Sequence, residues 1–474
     1  MWRRPPKPDR GTFMETFIHF MPLIMFGVLA VVLFTGYPVA FILGGIALLF
    51  AVLGDWAGVF RLDQIQLIPL RIYGGTMASL VLVAIPMFTF MGTMLEKSGV
   101  ASDLLGALQV LLRRVPGGLA LSVTLMGTIM AATTGIIGAS VVMMTLMALP
   151  VMMKAGYSVP LATGTIAASG TLGILIPPSI MLVIMSDLLS VPVGTVFIAA
   201  IVPGVLLALL YTLYIFLLCR WKPELAPPMA DEAGPANKAE FWKMIFSSFL
   251  PPIFLISAVL GSIFAGIATP TEASGVGAAG SVLLAWFNKR LTWETFKDVC
   301  QRSALTGAML FGIFVGATAF SFVFKAVGGE ELIIEFIESS SAGPWSILFV
   351  LMAMVFALGF FFDWIEITLI VLPIFAPIVA LLDFGGHIGV WDGVSNPIVI
   401  WFLILVAVNL QTSFLTPPFG FALFYLKGVA PPEVKIQQIY KGIIPFVMLQ
   451  VFGLFLCVVF PAIVLWLPSF ALGD

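Results

Sequence analysis

The sequence predicts an all-α polytopic membrane protein built from two related halves with interrupted helices. Hydrophobic residues make up 61% of the 474 residues and charged residues 10%, whereas soluble domains have roughly half and a quarter. The apolar residues form continuous runs of about 16 to 25 residues, long enough to cross a hydrocarbon core of ~30 Å as helices. A β-barrel is the weaker alternative, because these runs do not alternate every second residue.

The apolar runs follow one another along the whole chain. Several of them are too short to cross a bilayer alone, so we expect some to be half-helices or re-entrant hairpins. The predicted segments are 17–35, 38–53, 78–95, 117–132, 139–153, 159–176, 179–190, 194–218, 245–268, 273–287, 303–324, 346–362, 365–382, 397–414, 419–427 and 441–468.

A polar stretch near the middle divides the chain. Residues 219–244 are rich in proline, alanine and charged residues, which favours a loop. We therefore expect a first half over 1–218, a central loop over 219–244 and a second half over 245–474.

The two halves carry matching signals. Ser140 precedes Pro150 by ten positions, and Asp363 precedes Pro373 by the same distance. Each half also contains a proline pair in a run of small and hydroxylated residues, Pro177-Pro178 in the first and Pro417-Pro418 in the second. Internal duplication with interrupted helices is typical of secondary transporters. The residues alone leave open whether the repeats are inverted.

A first cluster of small and hydroxylated residues contains Thr134, Gly135 and Ser140. This pattern indicates a hairpin tip. Close helix packing is an equally good interpretation, because small residues are common at membrane helix interfaces.

The first interrupted helix reads Gly170-Thr171-Leu172-Gly173-Ile174-Leu175-Ile176-Pro177-Pro178. Proline removes a backbone donor and clashes with the carbonyl four residues earlier. Together with Gly170 and Gly173, the prolines favour an unwound segment over a simple proline kink. Freed carbonyls suit a hard cation such as sodium.

The second interrupted helix reads Leu410-Gln411-Thr412-Ser413-Phe414-Leu415-Thr416-Pro417-Pro418. Its polar side chains lie in an otherwise apolar run, and it repeats the form of the first. This repetition is the most specific signal in the chain, and it indicates a second helix opened so that its backbone carbonyls can bind a ligand.

Three charged residues interrupt apolar sequence elsewhere. Asp363 is costly at membrane depth and is predicted to be functional, although it could end a span at the interface. Glu272 follows Thr269-Pro270 and is better explained as a helix cap. Lys325 is a candidate for an anionic substrate, or it could snorkel to the interface.

The sequence lacks the residues that other functional classes need. There is no phosphate-binding loop, no metal-binding helix and no nucleophile elbow, so we expect no enzyme and no cofactor other than coupling ions. Three cysteines and two histidines provide neither a disulfide framework nor a metal site. A channel remains an alternative, but it would need a continuous polar stripe, whereas the polar clusters here lie at two related breaks.

The ordered motifs resemble the large membrane subunit, DctM type, of tripartite ATP-independent periplasmic (TRAP) transporters over essentially the whole chain. The matching segments are Gly138-Ala139-Ser140 through Lys154-Ala155-Gly156-Tyr157, Gly170–Ser179, Thr269-Pro270-Thr271-Glu272-Ala273, Asp363, and Leu415-Thr416-Pro417-Pro418-Phe419-Gly420.

This resemblance implies an elevator-type fold with a scaffold, a mobile transport domain, two re-entrant hairpins and two broken helices. It also implies sodium-coupled import of a small organic acid across the bacterial inner membrane. The implied partners are a small membrane Q subunit, expected as a separate chain, a periplasmic substrate-binding P subunit and membrane lipid, with no nucleic acid.

Some of the family's site residues are present in this sequence, and others are replaced. Where the family usually has Ser-Gly-Ser-Ser, alignment at Pro150 gives Thr134-Gly135-Ile136-Ile137, so ligation by two serine hydroxyls is lost. The resulting ion-site candidates are Thr134, Gly135, Ser140, Gly170, Thr171, Gly173, Pro177, Asp363, Thr412 and Pro417. The substrate-site candidates are Asp363, Gln411, Thr412, Ser413 and Lys325.

The variants at the hairpin and the second break look like the family branch labelled for mannitol or chloroaromatic compounds, which also includes 2-oxo acid carriers. We therefore expect a 2-oxo or hydroxy monocarboxylate as substrate. A dicarboxylate, a polyol or an aromatic acid is the alternative.

Overall fold

A computed structural model describes residues 12–134, 137–228, 238–339, 343–417 and 420–473, and these ranges contain helices and no strand. The α-helices are α1 (Thr12–Leu33), α2 (Val39–Ala57), α3 (Leu67–Ile72), α4 (Ala84–Lys97), α5 (Val100–Leu112), α6 (Gly118–Thr134), α7 (Ile137–Lys154), α8 (Val159–Thr171), α9 (Ile180–Leu188), α10 (Val193–Trp221), α11 (Lys238–Phe264), α12 (Pro270–Phe287), α13 (Trp293–Ala326), α14 (Gly329–Ser339), α15 (Pro344–Leu358), α16 (Trp364–Ala380), α17 (Pro397–Leu415), α18 (Phe421–Val429), α19 (Ile436–Val459) and α20 (Ala462–Leu472). Short 3₁₀ turns cover Leu62–Gln66, Val81–Val83, Leu172–Ile174, Pro223–Leu225 and Gly385–His387, and a π turn covers Tyr73–Met77.

Within the described ranges, eight helices are long and apolar enough to cross a membrane. A ninth is added if the neighbouring segments Leu62–Met77 and Val81–Lys97 form one span. The predicted all-α polytopic fold is therefore confirmed. The eight are Met14–Leu33, Val39–Ala57, Ile137–Lys154, Val193–Trp221, Ala239–Phe264, Trp293–Ala326, Pro397–Leu415 and Ile436–Val459.

The helices form two compact units. The smaller unit comprises residues 1–79, 308–350 and 365–377. In it, Phe26 on α1 packs edge-to-face on Phe320 and Phe324 of α13, with centroids 5.5 and 5.1 Å apart. A side chain at Gly316 would overlap a carbonyl of α2. These contacts bind α1 and α2 to the second part of α13.

The larger unit comprises residues 80–307, 351–364 and 378–474. It contains both proline breaks. Its α8 and α19 pack at backbone distance, because a Cβ at Gly164 would overlap the Gly442 carbonyl and a Cβ at Gly442 would overlap the Pro160 carbonyl. Close contact between small residues is the usual way for membrane helices to associate. This packing places α8, which leads into the first break, beside α19.

The observed helices refine the predicted segments. The run 441–468 is two helices, because α19 ends at Val459 and α20 begins at Ala462. Helix α5 and helix α14 were not predicted, since acidic residues interrupt their apolar pattern. The central loop is shorter than expected, because α10 continues to Trp221 and α11 begins at Lys238. The division into halves at 219–244 stays a prediction.

Candidate functional site

The first break is an unwound segment rather than a kink. Helix α8 ends at Thr171, a 3₁₀ turn follows, and α9 begins only at Ile180. Pro177 has no N–H to offer the carbonyl of Gly173, its helical partner four residues earlier. The Ser179 hydroxyl donates to the Ile174 carbonyl at 2.6 Å and accepts from the Leu182 amide at 3.5 Å. Ser179 therefore joins the two half-helices across the break and caps the second one.

The second break follows the same plan. Helix α17 ends at Leu415 and α18 begins at Phe421, while Pro418 and Phe419 lie outside the described residues. A Cβ at Gly420 would lie 2.6 Å from the Phe414 carbonyl oxygen, so glycine lets the chain turn closely past α17. The paired interruption expected from the proline pairs is thus present in both halves.

The two breaks meet at corresponding positions of the repeat. Gln411 Nε2 donates to Thr171 Oγ1 at 3.4 Å, and both side chains are fully buried. The two residues are 240 positions apart, which is also the spacing of the proline pairs. The Thr171–Gln411 contact therefore joins the two breaks directly.

This contact determines which way the Gln411 amide points. The Thr171 hydroxyl donates its single hydrogen to the Ala168 carbonyl at 2.9 Å, so its oxygen can only accept from Gln411. The amide must therefore present Nε2 to Thr171, and Oε1 faces the other way. Gln411 Oε1 is buried and has no hydrogen-bond partner in the part of the chain that the structure describes.

The hydroxyls of the second break direct their hydrogens to their own helix. Thr412 donates to the Val408 carbonyl at 2.9 Å, and Ser413 donates to the Leu410 carbonyl at 2.9 Å. Because each hydroxyl hydrogen is used in these bonds, the lone pairs of the oxygen can only accept a hydrogen bond or coordinate an ion. This donor set fits a sodium ion better than an anion, although both side chains are buried within helix α17.

The first predicted hairpin adjoins the first break. Helices α6 and α7 are separated by two residues and pack on each other. A Cβ at Gly170 would lie 2.5 Å from Val141 of α7, next to the buried Ser140. The predicted tip residue Gly135 and the side chain of Thr134 lie outside the described residues. The structure therefore brings Ser140 beside the first break.

Asp363 lies at the start of a helix, four residues after a glycine that contacts the second break. Its Oδ1 accepts from the Trp364 amide at 2.8 Å, at the N-cap of α16. Four residues earlier, Gly359 packs so closely on Ser413 that any side chain at Gly359 would overlap the Ser413 hydroxyl. The segment that carries Asp363 is therefore held against the second break. A cap role and a site role for Asp363 are compatible.

A prediction follows from the contact between Gly359 and Ser413. Gly359→Ala should lower uptake at least about tenfold, because the methyl group displaces Ser413. Gly261→Ala, whose methyl group would meet no described atom within 4 Å, is the control for the change from glycine to alanine. Transport assays on both variants, with expression measured in parallel, test this. Equal uptake by the two variants would show that the Gly359–Ser413 contact does not support transport.

Two further charged residues have defined partners. Lys325 Nζ pairs with Glu330 Oε1 at 2.6 Å, so its ammonium group is held by its own segment, and its predicted contact with substrate stays a prediction. Thr269 and Glu272 form a capping box: the Thr269 amide donates to Glu272 Oε2 at 2.8 Å, and the Glu272 amide donates to Thr269 Oγ1 at 3.3 Å. The capping interpretation of Glu272 is confirmed.

Two residues near the site were missed by sequence reasoning. Gly359 gives no local signal, since glycine is common in membrane helices. Tyr425 on α18 packs its ring on Gly138 of α7, where a Cβ would lie 3.0 Å from the ring. No periodicity or motif could have predicted this contact between the half-helix after the second break and the first hairpin.

A helical membrane chain in which two corresponding broken helices meet has the architecture of a secondary transporter. The chain belongs to the DctM component family of tripartite ATP-independent periplasmic transporters, which matches residues 26–463. It is a subunit of a membrane transporter and not an enzyme, as predicted.

Similar proteins cover most of the chain. The C4-dicarboxylate TRAP transporter large permease protein DctM of Pseudomonas aeruginosa is 29% identical over 418 residues, which are 87% of this chain and 91% of that protein. The isethionate TRAP transporter permease protein DctMQ of Oleidesulfovibrio alaskensis is 29% identical over 467 residues, 97% of this chain and 68% of that protein. These relatives do not support the branch for mannitol, chloroaromatic compounds and 2-oxo acids that the motif variants suggested.

One solved structure shows the same fold. The YdaH transporter of Alcanivorax borkumensis, whose topology is described as unusual, matches with a TM-score of 0.57 at 14% identity. The match covers 87% of this chain and 91% of that one. At this identity the likeness concerns the fold alone.

Proposed function

We propose that this chain is the large permease subunit of a sodium-coupled, binding-protein-dependent importer of a small organic acid in the bacterial inner membrane. The observation that carries the proposal is the buried Thr171–Gln411 hydrogen bond, which joins two broken helices at corresponding positions of the repeat. The relatives named for C4-dicarboxylate and isethionate support an organic acid as the class of substrate.

Sodium is the coupling ion that the donor set favours. The Thr412 and Ser413 hydroxyls donate their hydrogens to backbone carbonyls. Because Pro177 has no N–H, the Gly173 carbonyl lacks the hydrogen bond that it would accept in a continuous helix. These are neutral, hard oxygen atoms beside broken helices, the kind of ligand that holds coupling ions in such carriers. Ser140 and Asp363, which adjoin the first and second breaks, would add to these two sites.

The amide and hydroxyls at the second break favour a substrate with an oxygen near its carboxylate. Gln411 Oε1 accepts hydrogen bonds only, which suits a hydroxyl substituent. A hydroxy monocarboxylate is therefore our preferred substrate. A 2-oxo monocarboxylate has no hydrogen to donate to Gln411 Oε1 and would need a donor elsewhere in the site, and a dicarboxylate is the alternative that the relative from Pseudomonas aeruginosa favours.

Partners and mechanism follow from the tripartite family. We propose a separate small membrane Q subunit and a periplasmic P subunit that delivers substrate. The hydrogen bond between the breaks fastens both ion sites to each other, which supports movement of the site as one rigid body in an elevator mechanism.

Uptake into proteoliposomes tests the proposal directly. With the Q subunit and the P subunit present, we expect labelled organic acid to accumulate only under an inward sodium gradient, and flux to saturate. Accumulation without sodium would contradict the coupling, and accumulation without the P subunit would contradict the tripartite mechanism. Flux that rises linearly with driving force would instead favour a channel.

The contact between the breaks gives a second prediction. Thr171→Val keeps the side-chain volume but removes the acceptor for Gln411, a bond worth about 0.5–1.5 kcal/mol. We expect the sodium concentration for half-maximal uptake to rise about threefold to tenfold. Thr165→Val is the matched control on the same helix, because Thr165 Oγ1 makes no hydrogen bond in the described part of the chain. Equal behaviour of the two variants would show that the contact does not support the ion site.

A further inference from the structure

The larger unit contains a cavity of about 510 Å³ whose lining includes no residue of either proline pair. This volume falls within the range of about 300–1,000 Å³ that small-molecule sites occupy. The lining comes from four places in the chain: the 3₁₀ turn at Val81, the turn between α9 and α10, the connection between α11 and α12, and the end of α20 at Leu472. The cavity is therefore large enough to hold a bound molecule.

The cavity lies at one end of four helices. Helices α10 and α12 begin at it, α11 ends at it, and α4 begins three residues after Val81. No lysine or arginine lines the cavity. The basic residues of these helices lie at their opposite ends: Lys97 at the end of α4, Arg220 near the end of α10, Lys238 at the start of α11, and Lys289 and Arg290 just after α12. Because basic residues collect on the cytoplasmic side of a membrane, the cavity lies at the outer, periplasmic end.

Large apolar side chains adjoin the lining residues in the chain. Leu80 precedes Val81, Ile267 precedes Ala268, and Phe470 lies two positions before Leu472, and all three are exposed. Exposed apolar side chains on a membrane protein face the lipid, and clusters of them mark membrane contacts. A lipid molecule can therefore reach the cavity from the outer leaflet.

The lining has two chemically different parts. Its walls are apolar and include Ile198, Ile263 and Phe264, whereas Asp187 and Ser190 come from the turn between α9 and α10. An organic anion would meet the Asp187 carboxylate without a lining lysine or arginine, so the cavity does not fit a second molecule of substrate. A small cation alone would leave the apolar walls unfilled. A molecule with an apolar chain and a positively charged head fits both parts.

We propose that one phospholipid with an ethanolamine headgroup binds here, with an acyl chain in the cavity and its ammonium group beside the Asp187 carboxylate. An acyl chain that enters from the bilayer leaves one apolar environment for another, so the walls admit the chain but contribute little preference. The headgroup contact therefore provides the selectivity. This inference depends on neither the transported substrate nor the coupling ion.

The turn that carries Asp187 is held in place by its own hydrogen bonds. The Ser190 amide donates to the Asp187 carbonyl at 3.1 Å, and the Val191 amide donates to the Ser186 carbonyl at 3.0 Å. The Ser186 hydroxyl donates back to the Val191 carbonyl. These bonds hold the half-buried Asp187 at the end of α9, and α9 begins directly after the first break. The bound lipid therefore contacts the far end of the half-helix that leaves the first break.

Photolabelling of the full chain in lipid nanodiscs tests the proposal. A phosphatidylethanolamine with a diazirine on one acyl chain should label peptides that contain residues 186–198 and 263–270. A phosphatidylglycerol probe with the same chain should label them about threefold to fivefold less, the difference expected for one partly exposed ion pair. Asp187→Asn should lower labelling by the ethanolamine probe to the level of the glycerol probe. Ala268→Phe, which places a ring in the cavity, should reduce labelling by both probes to background.

Two matched variants serve as controls and should keep full labelling. Asp383→Asn neutralises an exposed carboxylate elsewhere in the larger unit, and Ala265→Phe adds a ring at an exposed position of the same connection that does not line the cavity. Unchanged labelling of Asp187→Asn by the glycerol probe shows that this variant is folded.

Three results would overturn the proposal. They are the absence of label from these peptides, equal labelling by the two probes, and labelling that Asp187→Asn or Ala268→Phe leaves unchanged. Loss of the label on addition of saturating P subunit would also contradict it, because the cavity would then receive that protein instead of a lipid.

Discussion

Asp363→Asn is expected to reduce uptake at least tenfold while the protein still folds and inserts. Asparagine caps a helix as well as aspartate does, so the hydrogen bond from the Trp364 amide to this side chain can be kept. What the substitution removes is the negative charge beside the second break. A hydrogen bond or ion contact to a charged group is worth about 1.5–3 kcal/mol, and 1.4 kcal/mol corresponds to a factor of ten.

The matched control is Asp383→Asn. Asp383 also accepts a hydrogen bond from a backbone amide, that of Gly385 at 2.8 Å, but it is exposed and lies outside both breaks. Uptake of labelled substrate, normalised to the amount of protein in the membrane, should be unchanged in this variant. Normal transport by Asp363→Asn would reduce Asp363 to a helix cap without a role at the ion or substrate site.

Gly442→Ala is expected to cause a large loss of stability in the larger unit. The added Cβ would overlap the carbonyl oxygen of Pro160, a backbone atom that cannot rotate away. Helix α19 would have to move off α8, and overpacking of this kind costs about 1–3 kcal/mol or more. We expect a lower thermal midpoint in detergent, less protein in the membrane and a proportional loss of uptake.

Substitution of a glycine that has open space around it distinguishes the effect of steric overlap from the effect of helix propensity. Gly261 lies within α11, and a Cβ at this position would meet no described atom within 4 Å. Gly261→Ala should leave the midpoint unchanged or raise it slightly, because alanine is the better helix former by about 1 kcal/mol. If Gly442→Ala were equally harmless, the close contact between α8 and α19 would not be needed for stability.

The breaks could be predicted from sequence because their cause is local. A proline lacks the N–H that the carbonyl four residues earlier would accept, and at Pro177 the proline pair follows Gly170 and Gly173. A proline pair alone does not break a helix, because Pro251 and Pro252 lie inside α11. The capping box at Thr269 and Glu272 is equally local, since its partners are three residues apart. Such features depend on neighbouring residues and can be inferred from a short window.

The contacts that assemble the candidate site could not be predicted in the same way. Gly359 meets Ser413 and Gly138 meets Tyr425 across long stretches of chain, and glycine at such positions looks no different from glycine in any membrane helix. The site roles of Ser140, Asp363 and Lys325 stay predictions, although Lys325 is now known to pair with Glu330.

The sequence by itself determined that this chain is a helical membrane protein with two corresponding breaks, because hydrophobic length and proline chemistry act within single segments. Only the tertiary structure decided which polar atoms meet. It places Thr171 against Gln411 and orients the amide through the hydrogen that Thr171 gives to Ala168. These contacts depend on how distant helices pack, and packing is set by the whole chain.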